Sequence, residues 1–156
     1  MPPNDAITSF LRVRLGGATL ALPALMVREI LRAVAITPLP GSHAIIEGAV
    51  NVRGRLVPVI DLRERLSMPP RPLDPDEFLV VLQTSARTLA VRVEEVDDLV
   101  DVADDDVGRP SDLSPALRGL AGVAAREDGV LVLYDPAAFV SQAEAEAIDS
   151  ALAALA

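Results

Sequence analysis

The sequence predicts a mainly β fold, with two small five-stranded barrels that share apolar surface and one C-terminal helix. Three observations support this class. Short apolar runs are separated by turns rich in glycine and proline, which is typical of strands. The order of elements repeats in the two halves at an offset of about 70 residues, which suits a small barrel. The clearest helical stripe lies in the tail, at residues 141–156.

The first half of the chain predicts five strands joined by short turns. Gly16-Gly17 and Asn51-Val52-Arg53-Gly54 supply tight turns, because glycine adopts positive φ without strain. The strands are expected at 8–15, 19–22, 29–36, 45–52 and 55–60.

Proline and aspartate residues in this half indicate where helices begin and where strand pairing is limited. Pro23 favours a short helix to Val27, and Asp61 is expected to cap a second one from Leu62 to Leu66. Pro58 cannot donate to a strand ladder, so we expect it at a sheet edge or a bulge.

The second half repeats this order after a stiff connector, Met68 to Pro75, which holds four prolines and is the best candidate boundary. Asp135 again precedes a short helix, and one helical turn is expected at Leu113–Leu117. Strands are expected at 78–83, 89–93, 96–102, 120–125 and 130–134, the last two as a hairpin across Glu127-Asp128-Gly129.

The tail carries a complete helix signal. Ser141 and Glu144 form a capping box, and Ile148, Leu152 and Leu155 fall on one stripe. The helix is therefore expected to pack back on a barrel.

Composition and charge exclude several classes of protein. The hydrophobic fraction is 51% and the net charge is −9, which disfavours both disorder and general nucleic-acid binding. Residues 1–72 carry nine arginines against five acids, whereas residues 73–156 carry five against eighteen. Faces of opposite sign would help to orient docking with partner proteins.

The residues needed for catalysis are scarce. The chain has no cysteine and no lysine, which excludes disulfides, thiolate nucleophiles and lysine-dependent chemistry. The single histidine, His43, has no second histidine with which to share a metal. Asp104-Asp105-Asp106 lacks the ligand spacing of a calcium loop and is interpreted as a solvated turn or a helix start. An enzyme is a poor expectation, and a cytosolic location fits the absence of cysteine and of a signal peptide.

One central motif points to a family. The run Gly48 to Gly54 (GAVNVRG), continued by Leu56 to Arg63 (LVPVIDLR), closely resembles the core signature of CheW-type chemotaxis coupling proteins. Three further stretches agree: Leu22 to Ile30, the Thr37 to Gly41 loop, and Ile148-Asp149-Ser150 in the tail. The resemblance covers nearly the whole chain from about Phe10 onward.

The resemblance implies two interlocked five-stranded SH3-like barrels within a single domain, 1–156. Subdomain 1 is expected at about 18–72, subdomain 2 at about 8–17 and 73–140, and the C-terminal helix at 141–156. The implied protein is a non-enzymatic scaffold without cofactor or metal. It would link chemoreceptors to the CheA histidine kinase, in the cytoplasm at membrane-associated receptor arrays, without inserting into the membrane or binding nucleic acid.

The resemblance also places the contacts. The cytoplasmic tip of the receptor would lie in the groove between the barrels, at positions matching Val27, Glu29 and Arg53. The CheW-like regulatory domain of CheA would dock on the first barrel around Ile36 and Leu39, with ring assembly as a further expectation.

Plainer interpretations stay open at this stage. A turn arginine is often merely solvated, Glu29 could be an exposed strand residue, and Val27 could be ordinary core. A CheW-like scaffold of a pilus-motility or cyclic-dinucleotide signalling array is the alternative function. A small ligand-binding barrel or hydrolase is the remote one, and it would require a large apolar pocket with convergent polar groups.

Overall fold

The computed structural model describes residues 6–33, 36–39, 44–108, 120–126 and 129–155. The described part of the chain is mostly strand, as the short apolar runs in the sequence predicted. The strands are β1 (Ile7–Leu15), β2 (Ala18–Pro23), β3 (Val27–Arg32), β4 (Ile46–Val52), β5 (Arg55–Ile60), β6 (Phe78–Gln83), β7 (Thr88–Val93), β8 (Glu95–Ala103), β9 (Val107–Gly108), β10 (Leu120–Arg126) and β11 (Gly129–Tyr134). The helices are α1 (Leu62–Arg65) and α2 (Gln142–Leu155), and 3₁₀ turns occupy Ala24–Met26, Asp104–Asp106 and Pro136–Phe139. The mainly β fold class is confirmed.

The described strands form two sheets. The six-stranded sheet has the order β8-β1-β2-β11-β10-β9, and the five-stranded sheet has the order β3-β6-β7-β5-β4. In each sheet two hairpins meet through a parallel pair, β2 with β11 and β5 with β7. The two sheets therefore share one topology.

The duplication seen in the sequence explains this likeness. The segment from β1 to β5 matches the segment from β6 to β11 in order, and the isolated bridge between Thr37 and Ala49 matches the short strand β9. Each sheet combines the first hairpin of one repeat with the later strands of the other repeat. The repeats are interlocked by this exchange of hairpins.

The exchange changes the subdomain limits. Residues 18–23 pair within the six-stranded sheet, and residues 78–93 pair within the five-stranded sheet. The sheets thus divide the chain differently from the limits expected from the sequence, 18–72 against 8–17 with 73–140. The reason is that the connectors between β2 and β3 and between β7 and β8, not the proline-rich connector, carry the chain between sheets.

The buried apolar residues described fall into three clusters. The largest lies between the sheets, with Leu11 and Leu20 from one sheet and Val80 and Val91 from the other. We call it the central core. A smaller cluster lies inside each sheet's curve, around Phe10 in one and around Val81 in the other. Because alternate residues of a strand point to opposite faces, strands such as β6 serve both the central core and a barrel interior.

The predicted caps are present. Asp61 Oδ1 accepts a hydrogen bond from the Glu64 amide at 3.2 Å, and Asp135 Oδ1 accepts one from the Ala137 amide at 3.0 Å. Both hydrogen bonds of the capping box are present. The Ser141 amide donates to the Glu144 carboxylate at 2.8 Å, and the Glu144 amide donates to the Ser141 hydroxyl oxygen at 3.2 Å. These bonds satisfy amides that a helix start leaves without partners.

The C-terminal helix packs back as expected. Ile148 is fully buried in the central core, and Leu152 packs against it. The side chain of Leu155, predicted on the same stripe, lies outside the described residues. Glu144 pairs with Arg65, and Asp149 lies 3.0 Å from Arg87, so the helix is also held by charge at its start and near its middle.

Two local expectations need correction. The predicted helix from Pro23 to Val27 is a 3₁₀ turn of three residues, because the chain must cross to the other sheet within that span. The strand expected at 29–36 spans Val27–Arg32. The helical turn expected at Leu113–Leu117 lies outside the described residues.

Pro58 was expected at an edge or a bulge, and it lies on an interior strand next to a bulge in the neighbouring strand. β5 lies between β7 and β4. Ala49, which faces Pro58, donates its amide to the Thr37 carbonyl at 2.8 Å and accepts from the Thr37 amide at 3.0 Å. Since both backbone groups of Ala49 point away from β5, this pair carries no ladder bond that the proline would remove. A register shift in β4 lies directly beside it, between Ile46 and Gly48.

Candidate docking surface

The β4–β5 turn presents Arg53 to solvent. Arg53 and Gly54 both adopt left-handed backbone conformations, with φ of 53° and 84°, as a two-residue hairpin turn requires. Asn51 Oδ1 accepts a hydrogen bond from the Gly54 amide at 2.8 Å, which fixes the turn. The Arg53 side chain is 83% exposed.

Arg53 reaches across to Glu29 of β3. Its Nη2 lies 3.0 Å from Glu29 Oε1, and the Glu29 side chain is 25% exposed. β3 and β4 are the two outer strands of the five-stranded sheet, so the curvature of the sheet brings its two edges together here. The sequence predicted these residues as separate contacts, whereas the structure joins them in one ion pair.

The ion pair stands over the open end of the five-stranded barrel. A cavity of about 260 Å³ lies there, lined among others by Val52, Val81, Gln83 and Thr88 as well as by the ion pair. Thr88 donates a hydrogen bond to Gln83 on the opposite strand of the β6–β7 hairpin. This mouth is apolar within and polar at its rim, which suits a protein contact as much as a small ligand.

A buried ion network closes the other end of this barrel. Arg92 is 6% exposed and contacts Glu77 at 2.7 Å and Glu47 at 2.8 Å. It also donates to the carbonyls of Arg71 and Pro72, at 2.8 Å and 3.1 Å, so it holds the proline-rich connector in place. Burial raises the pKa of Glu47, and Arg92 opposes this rise.

Val27 lies at the border between the sheets. It is half-buried, and it packs against the central core. A register shift separates it from Glu29 in the pairing of β3 with β6. Val27 therefore points to the central core, while Glu29 points to the barrel mouth, although two residues of a regular strand would share a face.

Exposed apolar side chains extend the central core to the surface near Val27. Their exposures are 91% for Leu25, 64% for Ile7, 61% for Leu99 and 42% for Ile30. A cavity of about 280 Å³ lies between residues 7–9 of β1 and residues 23–25. We call this cavity, together with Val27 and Ile30 of β3 and Leu99 of β8, the apolar groove. β1 runs along the groove, with the 3₁₀ turn and β3 on one side and β8, which pairs with β1, on the other.

Four of these residues were not predicted as functional from the sequence: Ile7, Leu25, Ile30 and Leu99. Exposed apolar residues are normal when scattered, and only their placement around one groove makes them a candidate surface. The alternation of β8 gave a partial signal, because Leu99 interrupts an otherwise acidic exposed side of that strand.

The two predicted kinase contacts differ in accessibility. Ile36 is half-buried and packs against the interior cluster of the five-stranded barrel. Leu39 is 5% exposed and lies in the central core, so its side chain offers almost no surface to a partner. His43 lies outside the described residues.

The described part of the chain contains no group of three or more His, Asp or Glu side chains placed to hold a metal ion. None of its helices is both long enough and apolar enough to cross a membrane.

Comparison with known proteins decides the family. A sequence model described as the CheW-like domain matches residues 9–144. The chain belongs to the CheW family. The resemblance carried by the central motif and the flanking stretches is thereby confirmed.

Individual CheW proteins agree over nearly the full length. The probable chemotaxis protein CheW of Rhizobium etli is 29% identical over 146 residues, which cover 92% of this chain and 94% of that protein. The chemotaxis protein CheW of Klebsiella aerogenes is 27% identical over 144 residues, covering 90% and 86%. The crystal structure of the scaffolding protein TtCheW from Thermoanaerobacter tengcongensis shares the fold, with a TM-score of 0.75 at 22% identity, covering 83% of this chain and 89% of that one.

Proposed function

We propose that this chain is a non-enzymatic adaptor that couples chemoreceptors to the CheA histidine kinase in chemotaxis. The observation that carries the proposal is its membership of the CheW family over residues 9–144. TtCheW, which shares the fold, is a scaffolding protein, and this supports a binding role. A sequence without cysteine or lysine and with a single histidine supports it too. The adaptor would act in the cytoplasm at membrane-associated receptor arrays.

The receptor tip docks along the apolar groove. A helical hairpin needs a long apolar strip, and Leu25, Val27, Ile30 and Leu99 supply one at the border between the sheets. Glu29 points to the face of β3 that is turned away from the groove, and Arg53 pairs with it there. The ion pair would therefore either position β3 at the groove or contact a second part of the receptor. Of the three predicted receptor residues, Val27 and Glu29 lie on the edge strand β3, and Arg53 is joined to that strand by its ion pair with Glu29.

The CheW-like regulatory domain of CheA docks on the five-stranded barrel near Ile36. That segment is held against β4 by the two hydrogen bonds between Thr37 and Ala49. Leu39, being buried, would anchor the segment and not contact the kinase directly. Ring assembly with CheA would use these same barrel surfaces.

Binding assays test the coupling role. Pull-downs of a receptor cytoplasmic fragment and of CheA from the same organism should each retain this chain. Leu99→Ser should weaken receptor capture about fivefold or more, because it removes exposed apolar contact area from β8, which flanks the groove. Val130→Ser is the matched control, since Val130 is 60% exposed and lies on β11, away from the groove. Retention by neither partner would refute the proposal.

A further inference from the structure

The edge strands β3 and β8 are internal repeats of each other with opposite charge. Val27 to Arg32 reads VREILR, and Val96 to Asp101 reads VDDLVD. Each strand pairs with the first strand of a hairpin, and each pairing has its register shift at the same place. The apolar positions and one acid are retained, while both arginines are replaced by aspartates.

The register places the apolar members of the two strands equivalently. Ile30 pairs with Val80, and Leu99 pairs with Leu11. Val80 and Leu11 are both buried in the central core. Since paired residues share a sheet face, Ile30 and Leu99 stand on the groove side of their strands.

The charged members follow the same rule. Arg32 pairs with Phe78, and its Cζ lies 4.9 Å from the centre of the Phe78 ring. Asp101 pairs with Ser9 and accepts a hydrogen bond from its hydroxyl at 2.5 Å. Both charged residues are exposed, and each lies two residues beyond the apolar residue of its strand.

These two charges mark opposite ends of the groove. Phe78 pairs with Val93, the last residue of β7, so Arg32 lies two strands from Val93, at the end of the five-stranded sheet where the chain passes into β8. Ser9 lines the cavity beside Ala24 and Leu25, so Asp101 lies near the point where the chain passes into β3. Near the Arg32 end, Glu95 is already paired with Arg14, at 3.7 Å.

We propose that Arg32 and Asp101 give the groove a polarity, so that a helical hairpin binds in a single orientation. The two antiparallel helices of a hairpin present nearly equivalent faces, and a groove with two identical walls would accept either orientation. Here the partner must place an acidic side chain near Arg32 and a basic one near Asp101. The inference rests on the proposed receptor docking and adds the charge pattern that its partner needs.

Affinity measurements test the charges. Arg32→Glu and Asp101→Arg should each weaken binding of the receptor fragment about three- to tenfold at low salt, and less at high salt, because charges at an interface rim act over long range. Glu146→Arg on the exposed side of α2 is the control for charge reversal and should leave affinity unchanged. Binding by both groove variants at wild-type affinity would overturn the inference while leaving the proposed function intact.

Cross-linking tests the orientation itself. The chain has no cysteine, so Leu25→Cys supplies a unique reactive group at the Asp101 end. It should cross-link to only one of the two receptor helices, and the double variant Arg32→Glu/Asp101→Arg should shift the cross-link to the other helix. Equal cross-linking to both helices in the wild-type background would refute a fixed orientation.

Two other results bear on the occupant. Failure of the unmodified chain to bind any receptor fragment would refute the proposed function and this inference together. Concentration-dependent dimerisation that Arg32→Glu abolishes, with no receptor binding, would assign the groove to a second copy of the chain and overturn the inference.

Discussion

Glu29 of β3 and Arg53 of the β4–β5 turn bridge the two edges of the five-stranded sheet, with 3.0 Å between Oε1 and Nη2. The bridge is exposed on the arginine side, and exposed ion pairs stabilise a fold by at most about 1 kcal/mol. Because the pair contributes so little to the fold and lies at the mouth of a barrel, we propose that it shapes a binding surface.

Arg53→Ala should therefore lower receptor binding while changing the free energy of unfolding by less than about 1 kcal/mol. Denaturant titration and pull-down of the receptor fragment measure the two effects separately. Arg71→Ala, at an exposed arginine that does not line this mouth, serves as the control. A loss of several kcal/mol in Arg53→Ala would identify the residue as structural.

Gly48 holds the segment around Ile36 close to β4. A Cβ atom at Gly48 would lie 2.4 Å from the Thr37 carbonyl oxygen and 2.6 Å from Ile36 Cγ2. Gly48→Ala should push this segment outward, destabilise the fold by about 2–4 kcal/mol and weaken capture by CheA.

Gly17→Ala is the matched control for this change. Gly17 also has a positive φ, 81°, but no atom lies within 4 Å of its added Cβ. Gly17→Ala should lower the free energy of unfolding only by the backbone strain, about 1–2 kcal/mol, and leave CheA binding unchanged. Equal effects of the two alanines on CheA binding would argue against a special role for the Ile36 segment.

Arg92 neutralises two carboxylates at the closed end of the five-stranded barrel. Arg92→Ala would leave Glu47, 19% exposed, without its cation, and would remove the nearer of the two arginines that contact Glu77, which is 6% exposed. We expect the free energy of unfolding to fall by about 3–5 kcal/mol, because uncompensated buried charge is costly. Thermal unfolding measures this loss.

Arg71→Ala is the control for that network. Arg71 is 54% exposed and contacts Glu94 at 3.1 Å, so its loss should cost less than about 1 kcal/mol. Similar melting temperatures for the two variants would show that burial of Arg92 carries no special weight.

Glu94 makes stability depend on pH. The Arg63 guanidinium donates to Glu94 Oε1 at 2.8 Å, and this hydrogen bond lowers the pKa of the carboxyl below its usual 4.5. A carboxyl with a depressed folded pKa stabilises the fold above its unfolded pKa, and the contribution is lost as the pH falls through the folded value. Glu94→Gln should therefore cost about 1–2 kcal/mol at pH 7 and progressively less below about pH 4.

Denaturant melts between pH 3 and pH 7 measure this difference. Glu95→Gln is the control, since the Glu95 side chain is 61% exposed. A constant difference between Glu94→Gln and the wild-type chain over the whole range would contradict the assignment.

Local signals in the sequence predicted most elements well. The strands β5 and β6 lie at the expected residues, and Asp61, Asp135 and Ser141 cap where their side chains and spacing indicated. These features depend on residues close in sequence, so the sequence contains their cause.

Relations between distant residues were not predictable in this way. The exchange of hairpins between the sheets leaves the order of strands unchanged, so no local pattern distinguishes it from two separate barrels. The equivalence of Arg32 and Asp101 was hidden because charge is reversed between the repeats, and it emerges only from the shared register. The pairing of Glu29 with Arg53 depends on sheet curvature, which neither residue encodes.

The exchange of hairpins has a consequence for how such a protein can diversify. Cutting the chain at the proline-rich connector would leave the N-terminal fragment with one hairpin of the six-stranded sheet and three strands of the five-stranded sheet. The C-terminal fragment would hold one hairpin of the five-stranded sheet and four strands of the six-stranded sheet, so neither fragment contains a complete sheet. The two halves of the gene are therefore bound to evolve as one unit, even though their surfaces have drifted to opposite charge. Recombination between relatives should give a folded protein when whole chains are exchanged. It should fail when only half of the chain is exchanged, unless both halves are supplied together so that they can reassemble.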